Sequence, residues 1–416
     1  MRELTLDHLD WAEWVRPGDL VTCGQGTGEP RTLTESLMQQ RRRIGSFSFF
    51  LSTTYSETFH PSYADVVRFI GISAVANTRR LAAAGVLHYV PTALSVLPRL
   101  LQDGPLSPDV VLMQVSPPGP DGHLSFGLVN DYVSLALDHA RVVIAEVNDQ
   151  VPWTFSGAVD LDRVDVLIRT SRPPLEVPRA SFGPIHRQLG EHVASLIPDG
   201  ATLEVGVGAA PEAILHQLAH HRDLGVHSGL ISDGIAALAE AGVVTNRRKA
   251  LDPGIALGGV LFGTKRLYRL AAANPAWALR PLTYTHQPEV LAAQDQFIAI
   301  NSALQVDLTG QINAEEADGQ LVGAVGGQVD FARGALRARG GRSIVTLPST
   351  AQHGAISRIV PRLDGPVTTP RSDADLVVTE HGVADLRGVP AADRAERLIA
   401  IADPRFREWL RHEAGS

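Results

Sequence analysis

The stretch Asp223–Gly242 reads DLGVHSGLISDGIAALAEAG, and the fold can be read outward from it. Leu224, Val226 and His227 fit a short buried strand, and Ser232 or Asp233 caps a helix that continues through Ile235, Leu238 and Ala239. Gly242 ends that helix. A buried strand that runs through a polar turn directly into a helix is a common way to build the wall of a pocket in an α/β protein. Just upstream, Thr202–Leu215 reads TLEVGVGAAPEAIL and repeats the plan of strand, turn and helix.

The same plan appears near the start of the chain. Pro17–Leu37, PGDLVTCGQGTGEPRTLTESL, parallels Pro198–Leu218, PDGATLEVGVGAAPEAILHQL: each has a turn, an apolar strand, a Gly-x-Gly turn, a proline and an amphipathic helix. Further on, the stretch from Asp121, DGHLSFGLVNDYVSLALDHARVVIAEVN, parallels the stretch from Asp318, DGQLVGAVGGQVDFARGALRARGGRSIVTLPS. Each ends in a buried strand, Val142–Val147 in the first and Ser343–Leu347 in the second. These pairings predict an α/β fold of two related open domains, largely parallel in their sheets, that arose by internal duplication. The joint falls in the proline-rich segment Arg172–Pro198, which divides the chain into residues 1–180 and 181–416. A ligand site between the halves is the expectation, because loops at the carboxyl ends of parallel strands gather there.

Composition narrows the function. A chain of 416 residues with 44% hydrophobic side chains fills two cores. A net charge of −8 offers no field for nucleic acid or an anionic membrane. The single cysteine, Cys23, excludes an intrachain disulfide and fits a reducing compartment. The N-terminus MRELTLDHLDWAEWV does not read as a signal peptide, and no apolar run reaches the roughly 20 residues of a membrane span. A cytoplasmic protein is therefore expected. Histidines are scattered without zinc-like spacing, so no metal is expected.

The candidate chemistry lies in the glycine turns. In Gly206-Val207-Gly208-Ala209-Ala210, glycines let backbone N–H groups approach a ligand, and the following helix adds its positive N-terminal dipole. Such a turn holds a phosphate or an oxyanion, although a Gly-x-Gly before a helix is as often a tight turn with no ligand. Gly24-Gln25-Gly26 carries the same two readings. Cys23 beside it reads as a small buried strand residue rather than a nucleophile. Gly326-Gly327-Gln328 is a third glycine turn before a helix.

Taken in order, EVGVGAAPEAIL, HSGLISDGIAALAEAGVVT, FGTKRLY, INSALQVDLTGQINAE, GAVGGQVDFARGA, GGRSIVTLPSTAQHGAISRIV and VVTEHGVADLRG resemble successive motifs of the acetyl-CoA hydrolase/transferase family. SPPGPDGHLSFG and IAEVNDQVPWT extend the resemblance into the first half. The family belongs to the class I CoA-transferases and includes 4-hydroxybutyrate and butyryl-CoA:acetate CoA-transferases. The resemblance implies acyl-CoA as substrate, a small carboxylate as acceptor and a homodimer or higher homo-oligomer. It implies that Gly206, Val207, Gly208, Ala209 and Ala210 line the CoA thioester and supply oxyanion donors, and that Gly326, Gly327 and Gln328 contact CoA. It also implies a glutamate that attacks the thioester and becomes a glutamyl-CoA intermediate.

The chain departs from the family at that glutamate. Where His-Thr-Glu-Met or His-Ser-Glu-Met is usual, it has His227-Ser228-Gly229-Leu230, so the nucleophile aligns with Gly229. Three readings follow. The first is thioester hydrolysis or direct transfer without the glutamyl intermediate, with a general base drawn from Glu29, Glu146, Glu204, His227 and Asp233. His227, which stays in the family position, is the preferred candidate. The second is a substitute carboxylate nucleophile, Glu204 or Glu29. The third is a catalytically silent acyl-CoA-binding subunit.

Overall fold

The structure, a computed structural model, describes residues 1–415. It divides into two compact units. The first comprises Met1–Pro178, Leu257–Thr285 and Gln320–Gly326; the second comprises Arg179–Ala256, His286–Gly319 and the chain from Gly327 onward.

The first unit is built on a parallel sheet of eight strands: β1 Arg2–Leu4, β2 Leu20–Cys23, β3 Phe47–Leu51, β4 Val67–Gly71, β5 Leu87–Tyr89, β6 Val110–Val115, β7 Val142–Asn148 and β8 Val166–Thr170. Their order across the sheet is β1-β8-β7-β6-β2-β3-β4-β5. Every residue of β6 and β7 is buried, the mark of strands covered on both faces, and their sequences VVLMQV and VVIAEVN are accordingly apolar nearly throughout. Helix α1, Arg31–Ile44, packs the stripe Leu33, Leu37, Met38 and Ile44 into the same cluster as Val21, Phe47 and Phe49. Each such side chain, when fully buried, contributes about 1.5–3 kcal/mol.

The second unit has six strands: β9 Thr202–Val205, β10 Gly225–Val226, β11 Phe297–Ser302, β12 Arg342–Thr346, β13 Leu376–Thr379 and β14 Gly382–Asp385. The order is β10-β9-β11-β12-β13-β14, parallel except for β14, which runs antiparallel to β13. Within the first sheet, β8-β7-β6-β2-β3 reproduces β13-β12-β11-β9-β10 of the second strand for strand. The duplication read from the sequence is thus visible as a shared connectivity, and β2 and β9, the strands that precede the Gly-x-Gly turns, hold equivalent places.

The sequence reading drew one cut, between residues 180 and 181. The first unit's opening segment ends near it, at Pro178, within residues 171–183, which carry no regular structure. The later segments Leu257–Thr285 and Gln320–Gly326 nevertheless belong to the first unit. Backbone pairing is the reason: Val260 bridges Val129, Ala278 bridges Phe155, and Gly326 bridges Ala93. Among the described residues, no helix is long and apolar enough to cross a membrane.

Candidate functional site

Three turns of the second unit carry the predicted site residues other than Gly326, the last residue of the first unit's segment Gln320–Gly326. Strand β9 ends at Gly206-Val207-Gly208 and continues into helix α2, Ala209–Gln217. Strand β10 ends at His227-Ser228-Gly229, which leads to helix α3, Asp233–Glu240; Gly327 precedes helix α4, Gln328–Arg337. Because β9 and β10 are paired in parallel, Thr202 with Gly225 and Leu203 with Val226, their turns emerge at the same end of the sheet. The His227 N–H donates to the Leu203 carbonyl at 3.0 Å. Ser228 Oγ lies 3.4 Å from both the N and the O of Val205, which ties the two turns together. Below them the buried Lys249 donates from Nζ to the carbonyls of Val226 (2.8 Å) and Ile255 (2.7 Å). Burial lowers its pKa to about 8 against a smaller opposing pull from Asp252.

The glycine turns of the two copies differ in what surrounds them. A Cβ on Gly206 would meet nothing within 4 Å; one on Gly208, which has φ of 126°, would touch only Pro211 Cδ at 4.0 Å. Gly326, with φ of 56°, is similarly open. In the first copy the corresponding space is full. A Cβ on Gly26 would lie 2.6 Å from the Phe262 ring, and one on Gly28 would lie 2.5 Å from Val129 Cγ2. The first turn is closed by packing, and the second is left open.

The carboxylates named in the sequence are each taken up locally. In the first unit, Glu29 accepts hydrogen bonds from Thr34 (2.9 Å), Thr54 (2.8 Å) and Ser56 (2.8 Å). Burial still raises its pKa. Glu146 accepts from the N–H and hydroxyl of Thr32, in the first turn of α1, and from Thr170. It works as a side-chain cap on that helix. Cys23 is buried, and desolvation pushes its thiol well above its ordinary value, so it is no nucleophile. In the second unit, Glu204 accepts from Asn301 Nδ2 at 2.8 Å, and burial raises its pKa to about 8. It is therefore a neutral acid near pH 7, the wrong form for a nucleophile. Asp233 opens α3, and its backbone carbonyl accepts from Arg179.

His227 is fully buried, with Nδ1 3.3 Å from Gln294 Nε2 and its ring edge-on to Phe297. A second histidine lies directly against Gly229. A Cβ on Gly229 would be 3.1 Å from His286 Cε1 and 3.2 Å from His286 Nε2; one on Gly327 would be 2.6 Å from the same Nε2. Sequence reasoning passed over His286, which sits in the turn sequence TYTHQP without a motif of its own. Its only signal was a polar imidazole just before a proline. Burial, aided by His227, lowers its pKa to about 3, so it stays neutral. Beside Gly327, Gln328 is buried, and its Nε2 has no hydrogen-bond partner among the described residues. A buried amide donor left in this state is suited to an incoming acceptor. Among the described residues no cluster of His, Cys, Asp and Glu could hold a metal ion.

Comparison with known proteins identifies the chain's relatives. Residues 6–170 match the model of the acetyl-CoA hydrolase/transferase N-terminal domain, and residues 263–414 that of its C-terminal domain. The chain is 43% identical to a 4-hydroxybutyrate coenzyme A transferase of Clostridium kluyveri over 81% of its length and 79% of that protein's. The crystal structure of RipA from Yersinia pestis superposes with a TM-score of 0.93 at 34% identity, covering 100% of this chain and 97% of the other. A 4-hydroxybutyrate CoA-transferase from Porphyromonas gingivalis superposes with a TM-score of 0.84 at 33% identity, covering 99% and 97%.

Two outcomes follow from the local geometry. Gly26→Ala forces a methyl group into Phe262 at a positive φ, and should destabilise the protein by about 2–4 kcal/mol in denaturant titration. The raised pKa of Glu204 contributes stability that is complete below the ordinary carboxyl range and is lost as pH rises through about 8. Glu204→Gln should remove that dependence: relative to wild type, its unfolding midpoint should gain between about pH 5 and about pH 8.5.

Proposed function

The chain belongs to the acetyl-CoA hydrolase/transferase family, enzymes that work on acyl-CoA thioesters, and on that footing we propose that it cleaves the thioester of a short acyl-CoA by direct attack of water, without a glutamyl-CoA intermediate. The observation that carries this reading is the absence of any side chain at Gly229, together with the state of the nearby carboxylate. Glycine cannot form the acyl anhydride. Glu204, the candidate substitute in the same unit, accepts from Asn301, and burial raises its pKa to about 8, which favours the neutral acid over a nucleophilic carboxylate near pH 7.

The features needed for thioester activation are present. Gly206 to Ala210 form an open turn at the start of α2, and in this reading its backbone N–H groups and the helix dipole receive the charge that develops on the thioester carbonyl oxygen. Donors of this kind, aimed where charge develops, contribute about 3–4 kcal/mol each to the transition state. The buried Gln328 amide, beside Gly327, offers a further donor to acyl-CoA. Acetyl and other short acyl groups are the family's substrates and the first to try.

The decisive experiment follows free thiol and acyl exchange together over time for a panel of short acyl-CoAs, with and without acetate. Thiol release without an acceptor is expected. Exchange that requires the carboxylate would replace water by the acceptor, and a CoA adduct trapped on a peptide would overturn the direct route. Bound but unreacted acyl-CoA across the panel would leave a binding subunit. Gly206→Ala provides a local check: with free space around the new methyl group, stability should stay within about 0.5 kcal/mol of wild type. Acyl-CoA binding should weaken at least about tenfold, or 1.4 kcal/mol.

A further inference from the structure

We propose that Arg358 binds a phosphate of acyl-CoA, at the far end of the pantetheine arm from the thioester; the assignment rests on the acyl-CoA reading above. Arg358 is half-buried, yet its guanidinium makes no hydrogen bond and no ion pair among the described residues. The acid whose charge it feels is Glu380. That carboxylate is already taken, accepting from the N–H of Ser349 at 2.8 Å and from its hydroxyl at 2.7 Å. Burial accordingly pulls the arginine's pKa down, with Glu380 opposing it. A guanidinium carries five donors in a planar fork, and one that has given up hydration without gaining a partner is suited to an incoming anion.

The chain around Arg358 fixes where that anion stands. The Arg358 N–H donates to the Ser349 carbonyl at 2.9 Å, and the Arg358 carbonyl accepts from the Val306 N–H at 2.9 Å. Ser349 follows β12, and Val306 lies in the short strand Gln305–Asp307 just after β11, so Arg358 sits at the carboxyl edge of those two strands. Glu380 follows β13 at the same edge, because β11, β12 and β13 run parallel. The hairpin that leads into Arg358 pairs Thr350 with Ser357 and Ala351 with Ile356. Its tip holds Gln352, His353 and Gly354 at φ of 47°, 56° and 88°. Two successive non-glycine residues keep a left-handed backbone only where their surroundings dictate it, so the loop before Arg358 has one defined shape.

Distance selects the ligand. The order β9-β11-β12-β13 puts Arg358 and Glu380 two to three strands away from the Gly206–Ala210 turn, about 10–15 Å at roughly 4.8 Å per strand. An acceptor carboxylate has to reach the thioester carbon itself and cannot also occupy this place. The acyl group of a short thioester does not extend so far. The phosphates of CoA lie at the end of a flexible arm of that span, and a phosphate meets the guanidinium fork with two parallel hydrogen bonds.

The test titrates CoA and pantetheine, which lacks the phosphates, into wild type, Arg358→Lys and Arg358→Gln by calorimetry. Wild type should bind CoA at least about tenfold more tightly than pantetheine, the range of hydrogen bonds to a charged group. Arg358→Gln should lose most of that difference with pantetheine affinity unchanged within about threefold, and Arg358→Lys, a single-point donor, should keep part of it. Equal affinities in wild type, a difference preserved in Arg358→Gln, or a matched fall for both ligands overturns the assignment, the last because that is how a structural arginine behaves. If neither variant folds, wild type is labelled with phenylglyoxal and the Arg358 peptide is read by mass spectrometry. Protection by CoA and not by pantetheine supports the site; protection by neither, by both or by acetate overturns it. Turnover is a separate readout. Absence of thiol release with this binding pattern intact sinks the thioester-cleaving reading and leaves Arg358 in place, whereas thiol release without the pattern sinks Arg358 alone.

Discussion

A parallel strand buried on both faces exposes no surface along its length, so contacts with a ligand gather at the turn at its carboxyl end. Strands β2 and β9 both meet this constraint, with all four residues buried in each. Everything distinctive about the protein follows from how the two turns were finished. The one after β2 is closed by Phe262 and Val129, and the one after β9 is left open. Duplication supplied two equivalent frames, and side-chain volume reserved one for structure.

The buried acids show the same division of labour. Glu29 and Glu146 face groups of hydroxyls and an N–H that satisfy them where they stand, fastening α1 and the loops around it to the first sheet. Glu204, with an amide for a partner, takes the other solution open to a buried carboxyl and keeps its proton. A count of acidic residues near the family motifs therefore overstates the chemistry available. Position relative to donors decides which form each one adopts.

Much of the fold was legible because it was written in local signals. The buried strands appeared as Val142–Asn148 and Arg342–Thr346, within a residue or so of their expected bounds, since short runs rich in Val and Ile specify them. The helix from Asp233 and its stop at Gly242, with φ of 75°, were equally local. The return of Leu257–Thr285 to the first unit was not legible, because it depends on backbone pairs such as Leu261 with Leu128 that leave no side-chain pattern. Nor could the Gly-x-Gly motif distinguish an open turn from a filled one, since the filling residues come from distant segments. For the same reason the sequence pointed to His227, adjacent to Gly229 in the chain, while the ring in contact with Gly229 is His286.

That contact gives the site a direction in sequence space. Restoring a carboxylate at position 229 would bring its first carbon within 3.1 Å of an imidazole already wedged against Phe331. The ring would have to give by a few tenths of an ångström to accept a side chain there, so the two positions are coupled. Packing beneath the turn thus limits which residue can stand at position 229.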